Sequence, residues 1–179
     1  MRVSKPYYLT VAIIGPLVGM GLIAWATIRS LHHGEAKGDS TLFFIVGVAC
    51  VVLASINQLI LLYKAWRAIR DGHPRMTPGK AVGFLFIPFY NLYWVFQAYV
   101  GFAADYNAYI ADRNITARPI SKPLLAAFCV CYIIGIICSR TALAVVGIAA
   151  GVLAVFVVME LCNAINRVAD HLDAQYGFE

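Results

Sequence analysis

The sequence predicts an all-α integral membrane protein. Four transmembrane helices, arranged as two hairpins, surround a central re-entrant or interfacial aromatic helical hairpin; five transmembrane helices is the alternative. Three observations predict this. The chain is 61% hydrophobic and only 13% charged, whereas soluble domains average about 25% charged residues. Its apolar residues fall in runs long enough to cross a bilayer. Its Lys and Arg residues flank those runs, as they do in cytoplasmic loops. Residues 1–179 read as a single membrane domain, because no stretch is polar enough for a separate soluble one. The net charge of +5 belongs to those flanks. The expected partner is therefore the lipid bilayer, not nucleic acid.

The first span covers about 7–28. As a helix it rises about 33 Å, enough for a hydrocarbon core of roughly 30 Å. Arg2 and Lys5 precede it, and Ala24-Trp25-Ala26 imitates a signal-peptide cleavage site. The apolar run is too long for a signal peptide, so an uncleaved span is expected. Pro16 should kink it. Gly15 and Gly19 lie on one face and invite close helix packing. Loop residues His32 and His33 lack a third ligand at a useful spacing, so a solvated loop is the expectation.

The second span covers about 41–63 and continues as a basic amphipathic extension to Asp71. Asn57 and Gln58 lie inside it, where polar groups face other helices or water. Gly72-His73-Pro74 ends that helix. Thr77 is a good N-cap and Pro78 suits the first helical position.

The segment 81–104 is apolar and aromatic, but Pro88 removes a helix hydrogen bond and disfavours helix at Ile87. An aromatic helix resumes at about Leu92 and is expected to close at Asp105-Tyr106-Asn107. Such a segment either spans once or forms two short helices meeting at Pro88–Asn91.

Two further spans, 123–138 and 142–165, are joined by a turn at Ser139-Arg140-Thr141. Gly147 and Gly151 offer a second packing face. Glu160, Asn163, Arg167 and Asp170 follow helical spacing, with Arg167 placed to reach Glu160. At an offset of 100, Gly47, Leu53, Leu61 and Arg67 match Gly147, Leu153, Leu161 and Arg167. That is a hint of two hairpins in the same orientation.

Charge decides between the topologies. A five-span chain splits its basic residues almost evenly between the two sides. With 81–104 entering and returning on the inner side, only Arg29, Lys37 and Arg140 remain outside. The second arrangement obeys the positive-inside rule, and it places both termini in the cytoplasm.

Trp66–Gly72 (WRAIRDG) followed by Thr77–Trp94 (TPGKAVGFLFIPFYNLYW) resembles an uncharacterised family of bacterial multi-pass membrane proteins. The resemblance is strong over 63–107. It implies the bacterial cytoplasmic (inner) membrane and carries no activity with it.

The primary functional expectation is a non-catalytic membrane module that assembles with itself, as a homo-oligomer, or with other membrane proteins. The alternative is a channel or transporter for an ion or small solute using the broken helix at Pro88–Asn91. Its candidate solute path or structural polar core comprises Asn57, Gln58, Pro88, Asn91, Gln97, Glu160, Asn163 and Arg167. An enzyme would have to draw on Asp71, His73, Asp170 and His171, which follow no known ligand spacing; no catalytic residue, cofactor or metal is expected. The five cysteines all lie in apolar segments without a C-x-x-C pair, so they read as small helix residues.

Overall fold

The computed structural model describes residues 2–33, 37–72, 74–137 and 140–176. They form six α-helices: α1 (Lys5–His33), α2 (Lys37–Ala68), α3 (Pro78–Gly83), α4 (Tyr90–Asp112), α5 (Lys122–Ile137) and α6 (Arg140–Tyr176). Single 3₁₀ turns follow α2 at Arg70–Gly72 and α3 at Phe84–Phe86. No strand occurs among the described residues.

Three stretches are long and apolar enough to cross a membrane: Lys5–Leu31, Ser40–Ala68 and Gly147–Gln175. In the first two, only 11% and 17% of residues are buried within the protein. Leu17, Leu31, Leu42, Leu53 and Ile148 all point outward. An apolar exterior of this extent is a lipid-facing surface, not that of a water-soluble fold. The stretch Lys122–Gly135 is equally apolar but shorter.

α1 and α2 form an antiparallel hairpin with a close crossing. A Cβ added at Gly19 would lie 2.7 Å from the Gly47 carbonyl oxygen, and one at Gly47 would lie 2.7 Å from that of Gly19. About one turn earlier on α1, a Cβ at Gly15 would meet Ala54 Cβ at 2.9 Å. Backbones approach this closely only where side chains are absent. α5 and α6 make the second hairpin, and α6 also packs on α1 and α2. α1 continues unbroken through Pro16.

The N-terminal segment lies against the C-terminal half of α6. The Asn166 side chain accepts from the Val3 N–H at 2.8 Å and donates to the Val3 carbonyl at 3.0 Å. Arg2 reaches Asp170 at 3.3 Å and Asp173 at 3.2 Å. Both chain ends therefore sit at the same end of the bundle.

That end also holds the core. α4 is its centre, contributing nine fully packed residues from Val95 to Ile110. Trp66 of α2 is wholly buried beneath it. Its ring meets Phe102 edge-on at 5.5 Å, and its indole N–H donates to the Ala98 carbonyl at 3.0 Å. Leu125 of α5 and Leu161 and Ile165 of α6 close the other side.

α4 departs from the sequence-based expectation. It does not close at Asp105-Tyr106-Asn107 but continues to Asp112. The polar residues that resemble a stop signal bond sideways instead. Asp105 holds Arg75 at 2.7 Å. Asn107 bonds both backbone groups of Ile120, at 2.8 and 3.0 Å. The true end is marked by Asn114 at φ 51°, a left-handed position that asparagine tolerates. α6 likewise runs past Ile165 to Tyr176, while α2 continues beyond Tyr63 as expected but ends at Ala68, before the 3₁₀ turn at Arg70–Gly72.

Replacing Trp66 by alanine would remove the largest buried side chain and its hydrogen bond. The expected loss is about 3–5 kcal/mol, read as a large drop in the unfolding midpoint of the detergent-solubilised protein. A change under about 1 kcal/mol would mean that α4 is not anchored through this indole.

Candidate functional site: a cavity at the helix break

The break between α3 and α4 follows from Pro88. Ile87 is extended, at φ −83° and ψ 116°, as expected before proline. Phe89 then takes φ 62° and ψ −42°, and the Tyr90 N–H donates to the Pro88 carbonyl at 2.7 Å. This is the strained, positive-φ form of γ-turn. The remaining backbone groups re-pair locally. Ile87 N–H donates to Phe84 O at 3.3 Å, Asn91 N–H to Ile87 O at 3.0 Å, and Leu92 N–H to Phe89 O at 3.2 Å.

Aromatic rings staple α3 to α4. The Trp94 indole N–H donates to the Ala81 carbonyl at 3.1 Å. Its ring packs on Phe84 at 4.8 Å and stacks on Tyr90 at 5.4 Å. Below the staple, the Arg75–Asp105 pair joins the segment before α3 to the middle of α4. Pro88 and Phe89 thus form the bend between α3, which packs on α2, and α4.

Beside that tip is a cavity of about 390 Å³. Gln58 and Ser55 of α2, Asn91 and Tyr99 of α4, and Tyr132 of α5 supply its polar groups. Gly151 of α6 borders it, and a Cβ there would meet nothing within 4 Å. Gln58 lies ten residues before the end of α2 at Ala68, roughly 15 Å along the helix. The cavity is therefore well inside the apolar zone.

The polar groups are set up unequally. The Asn91 amide donates to the Tyr132 hydroxyl at 3.3 Å. Its oxygen, Oδ1, is buried and meets no protein partner, and neither does the buried Gln58 Nε2. An unsatisfied buried polar atom costs about 1–3 kcal/mol. The cavity thus presents one acceptor and one donor to whatever enters it. None of its described lining residues carries a formal charge.

No family model, curated protein or solved structure matches this chain.

The structure divides the polar residues singled out in the sequence into separate places. Gln58 and Asn91 meet at the cavity, with Pro88 setting the break above it. Asn57 instead donates to the Tyr7 hydroxyl at 2.9 Å across the α1–α2 contact. Gln97 donates to Tyr93 on its own helix at 2.9 Å. Glu160, Asn163 and Arg167 line a different recess of about 240 Å³, with Tyr106 and Arg118. Glu160 and Arg167 form no ion pair with each other; both act on Tyr106, whose hydroxyl is pushed up to about 12 by burial and then by Glu160, against the opposing effect of Arg167. Gly15 and Gly19 lie in the α1–α2 crossing, Gly147 faces Met20 Cε at 3.9 Å, and Gly151 faces open space.

Among the described residues no three His, Cys, Asp or Glu side chains gather as a metal set. His73 and Cys138 lie outside the described residues, as do the side chains at 32 and 33. Cys50, Cys129, Cys131 and Cys162 are free thiols. Sequence reasoning missed Ser55, Tyr99 and Tyr132. Ser55 lies one helical turn before Gln58, and Tyr132 is a lone hydroxyl in an apolar run; each was a signal of the same kind as Gln58.

Phe89 is 88% exposed, so its positive φ alone should govern substitutions. Glycine is expected to be tolerated or mildly stabilising there, and valine to be worse than glycine by about 1–2 kcal/mol. Paired melting curves of the two variants check this. Equal stability would mean that the turn is not strained.

Proposed function

We propose that this is a non-catalytic, multi-pass protein of a bacterial cytoplasmic membrane that admits a small neutral solute to a polar cavity at mid-depth. The observation that carries the reading is the pair of buried, unpartnered amide atoms, Gln58 Nε2 and Asn91 Oδ1, at one cavity. A solute with both a donor and an acceptor, such as a small alcohol or amide, satisfies both. The uncharged lining favours neutral solutes over ions, because nothing there replaces the hydration of a bare charge.

In this reading α1, α2, α5 and α6 cross the membrane, and α3–α4 re-enter from the cytoplasmic side. Several features support the topology: the shared end of the two termini, the basic residues gathered around that end, and the resemblance over 63–107. α5 is short, at 16 residues, so the bilayer thins slightly around it. The self-assembly reading draws less support, because Gly15 and Gly19 contact α2 of their own chain.

Liposomes carrying the purified protein should swell in glycerol or urea gradients faster than empty ones. Gln58→Leu and Asn91→Leu should each slow that swelling about tenfold, the size of one lost hydrogen bond. Gln58→Leu should also raise the melting temperature, since an unpaired buried amide nitrogen is removed, whereas Asn91→Leu also gives up the bond to Tyr132 and should leave it nearly unchanged. Swelling no faster than in empty liposomes overturns the proposal. Loss of both swelling and stability would make the amides structural.

A single cysteine at Asn114, in a chain whose native cysteines are replaced by alanine, should react with an impermeant thiol reagent only after cells are opened. Reaction in intact cells would overturn the re-entrant topology and make 81–104 a full span.

A further inference from the structure

A second cavity lies where α2 gives way to α3. Its volume is about 610 Å³, and it is lined by Tyr63, Arg67, Arg70, Met76, Thr77 and Gly79, among others. No acidic residue is among its lining residues.

Several other cations of this end are held by partners within the chain. Arg2 pairs with Asp170 and Asp173. Arg75 pairs with Asp105. Arg113 donates to the Asp71 carbonyl at 3.1 Å and lies over the Tyr109 ring. Lys64 donates to the Tyr8 hydroxyl at 2.9 Å. These hold the fold together. Among the described residues Arg67 and Arg70 have no ion-pair or hydrogen-bond partner, yet they converge on one cavity. Two unpaired guanidinium groups sharing a cavity repel each other, and an anion between them removes that repulsion. Guanidinium is planar and donates two parallel hydrogen bonds to a phosphate.

What precedes the arginines on α2 decides the source of that phosphate. Ile56, Ile60, Tyr63 and Arg67 are spaced 4, 3 and 4 residues apart on α2, so they form one stripe of helix surface, and Arg70, in the 3₁₀ turn that follows, joins it at the cavity. All five are exposed. The stripe runs from aliphatic to aromatic to cationic. A phospholipid reads the same way, from acyl chain through the interfacial zone to phosphate, and tyrosine favours that zone. Free phosphate would need only the last two residues. The α2–α3 junction also lies at the end of the bundle that carries both termini and most of the basic residues, where anionic lipid headgroups bind between helices.

We propose that the cavity at Arg67 and Arg70 is a binding site for the phosphate group of an anionic phospholipid, whose acyl chain lies along Ile56 and Ile60. This does not depend on the solute reading, since the two cavities share no residue.

The test is lipid retention by the full chain, extracted in mild detergent from vesicles of mixed phosphatidylglycerol and phosphatidylcholine and weighed by native mass spectrometry. The wild-type protein should keep phosphatidylglycerol in preference to phosphatidylcholine. The double variant R67Q/R70Q should retain about a hundredfold less, as expected for losing two charge-assisted contacts each worth about tenfold or more. Arg29→Gln, at the opposite end of α1, should change nothing. R67K/R70K, which keeps the charge but loses the planar fork, should fall between. Gly79→Leu should also reduce retention: both arginines remain, and the side chain enters open space, where an added Cβ meets nothing within 4 Å. Millimolar inorganic phosphate should not displace the lipid.

Equal retention of the two lipids overturns the proposal. So does unchanged retention in R67Q/R70Q, or full retention in R67K/R70K, which would reduce the effect to general charge attraction. Displacement by inorganic phosphate would make this a phosphate site without a lipid. Arg67, Arg70 and Gly79 are exposed and Arg29 is half-exposed, so a loss of fold is not expected, and helical circular dichroism verifies that.

Discussion

Within a bilayer every backbone N–H and C=O must find a partner in the protein, because the lipid offers none. The same pairing rule holds for any buried backbone, and the chain meets it closely around the break at Pro88. Pro88 supplies no N–H and ends any helix that approaches it. The chain answers by re-pairing its own carbonyls within a few residues. Pro88, Ile87, Phe84 and Phe89 each accept an N–H close in sequence. The cost appears as the positive φ of Phe89. Once the tip is self-sufficient in hydrogen bonds, the rest of the segment can be covered by α2, α5 and α6. Trp94 and Trp66 then fix it from either side through single indole hydrogen bonds.

Asparagine serves this fold as a crosslinker between segments. Asn107 pairs with the backbone of Ile120, and Asn166 with that of Val3. In each case one amide offers a donor and an acceptor to a residue that has no regular partner, as a strand would. Gln58 and Asn91 carry the same chemistry without full pairing. The difference between structural and available amides lies in what faces them, not in residue type.

This explains how far the sequence could be read. Apolar run length and composition located the three long helices, and Pro88 located the break. The cap at Thr77 was legible because its side chain acts on the nearby N–H of Lys80. The end of α4 was not legible, since Asp105 and Asn107 look like a stop signal until their distant partners, Arg75 and Ile120, are known. The polar path was not legible as a whole either. Helical spacing places Asn57 beside Gln58 on α2, but one step along a helix turns a side chain by about 100°. Asn57 therefore faces α1 while Gln58 faces the cavity. Tyr99 and Tyr132 come together at the cavity through the packing of α4 on α5, and that meeting, unlike the lone hydroxyl of Tyr132 itself, is written in no local pattern.

The clasp between Val3 and Asn166 spans 163 residues of chain. A ribosome makes its two halves far apart in time. α1 and α2 can settle early through their glycine crossing, which needs nothing made later. Val3 and Arg2 must wait until the far part of α6 emerges. A segment made before α1 is thus secured only after the far part of α6, and its docking follows the arrival of the second hairpin.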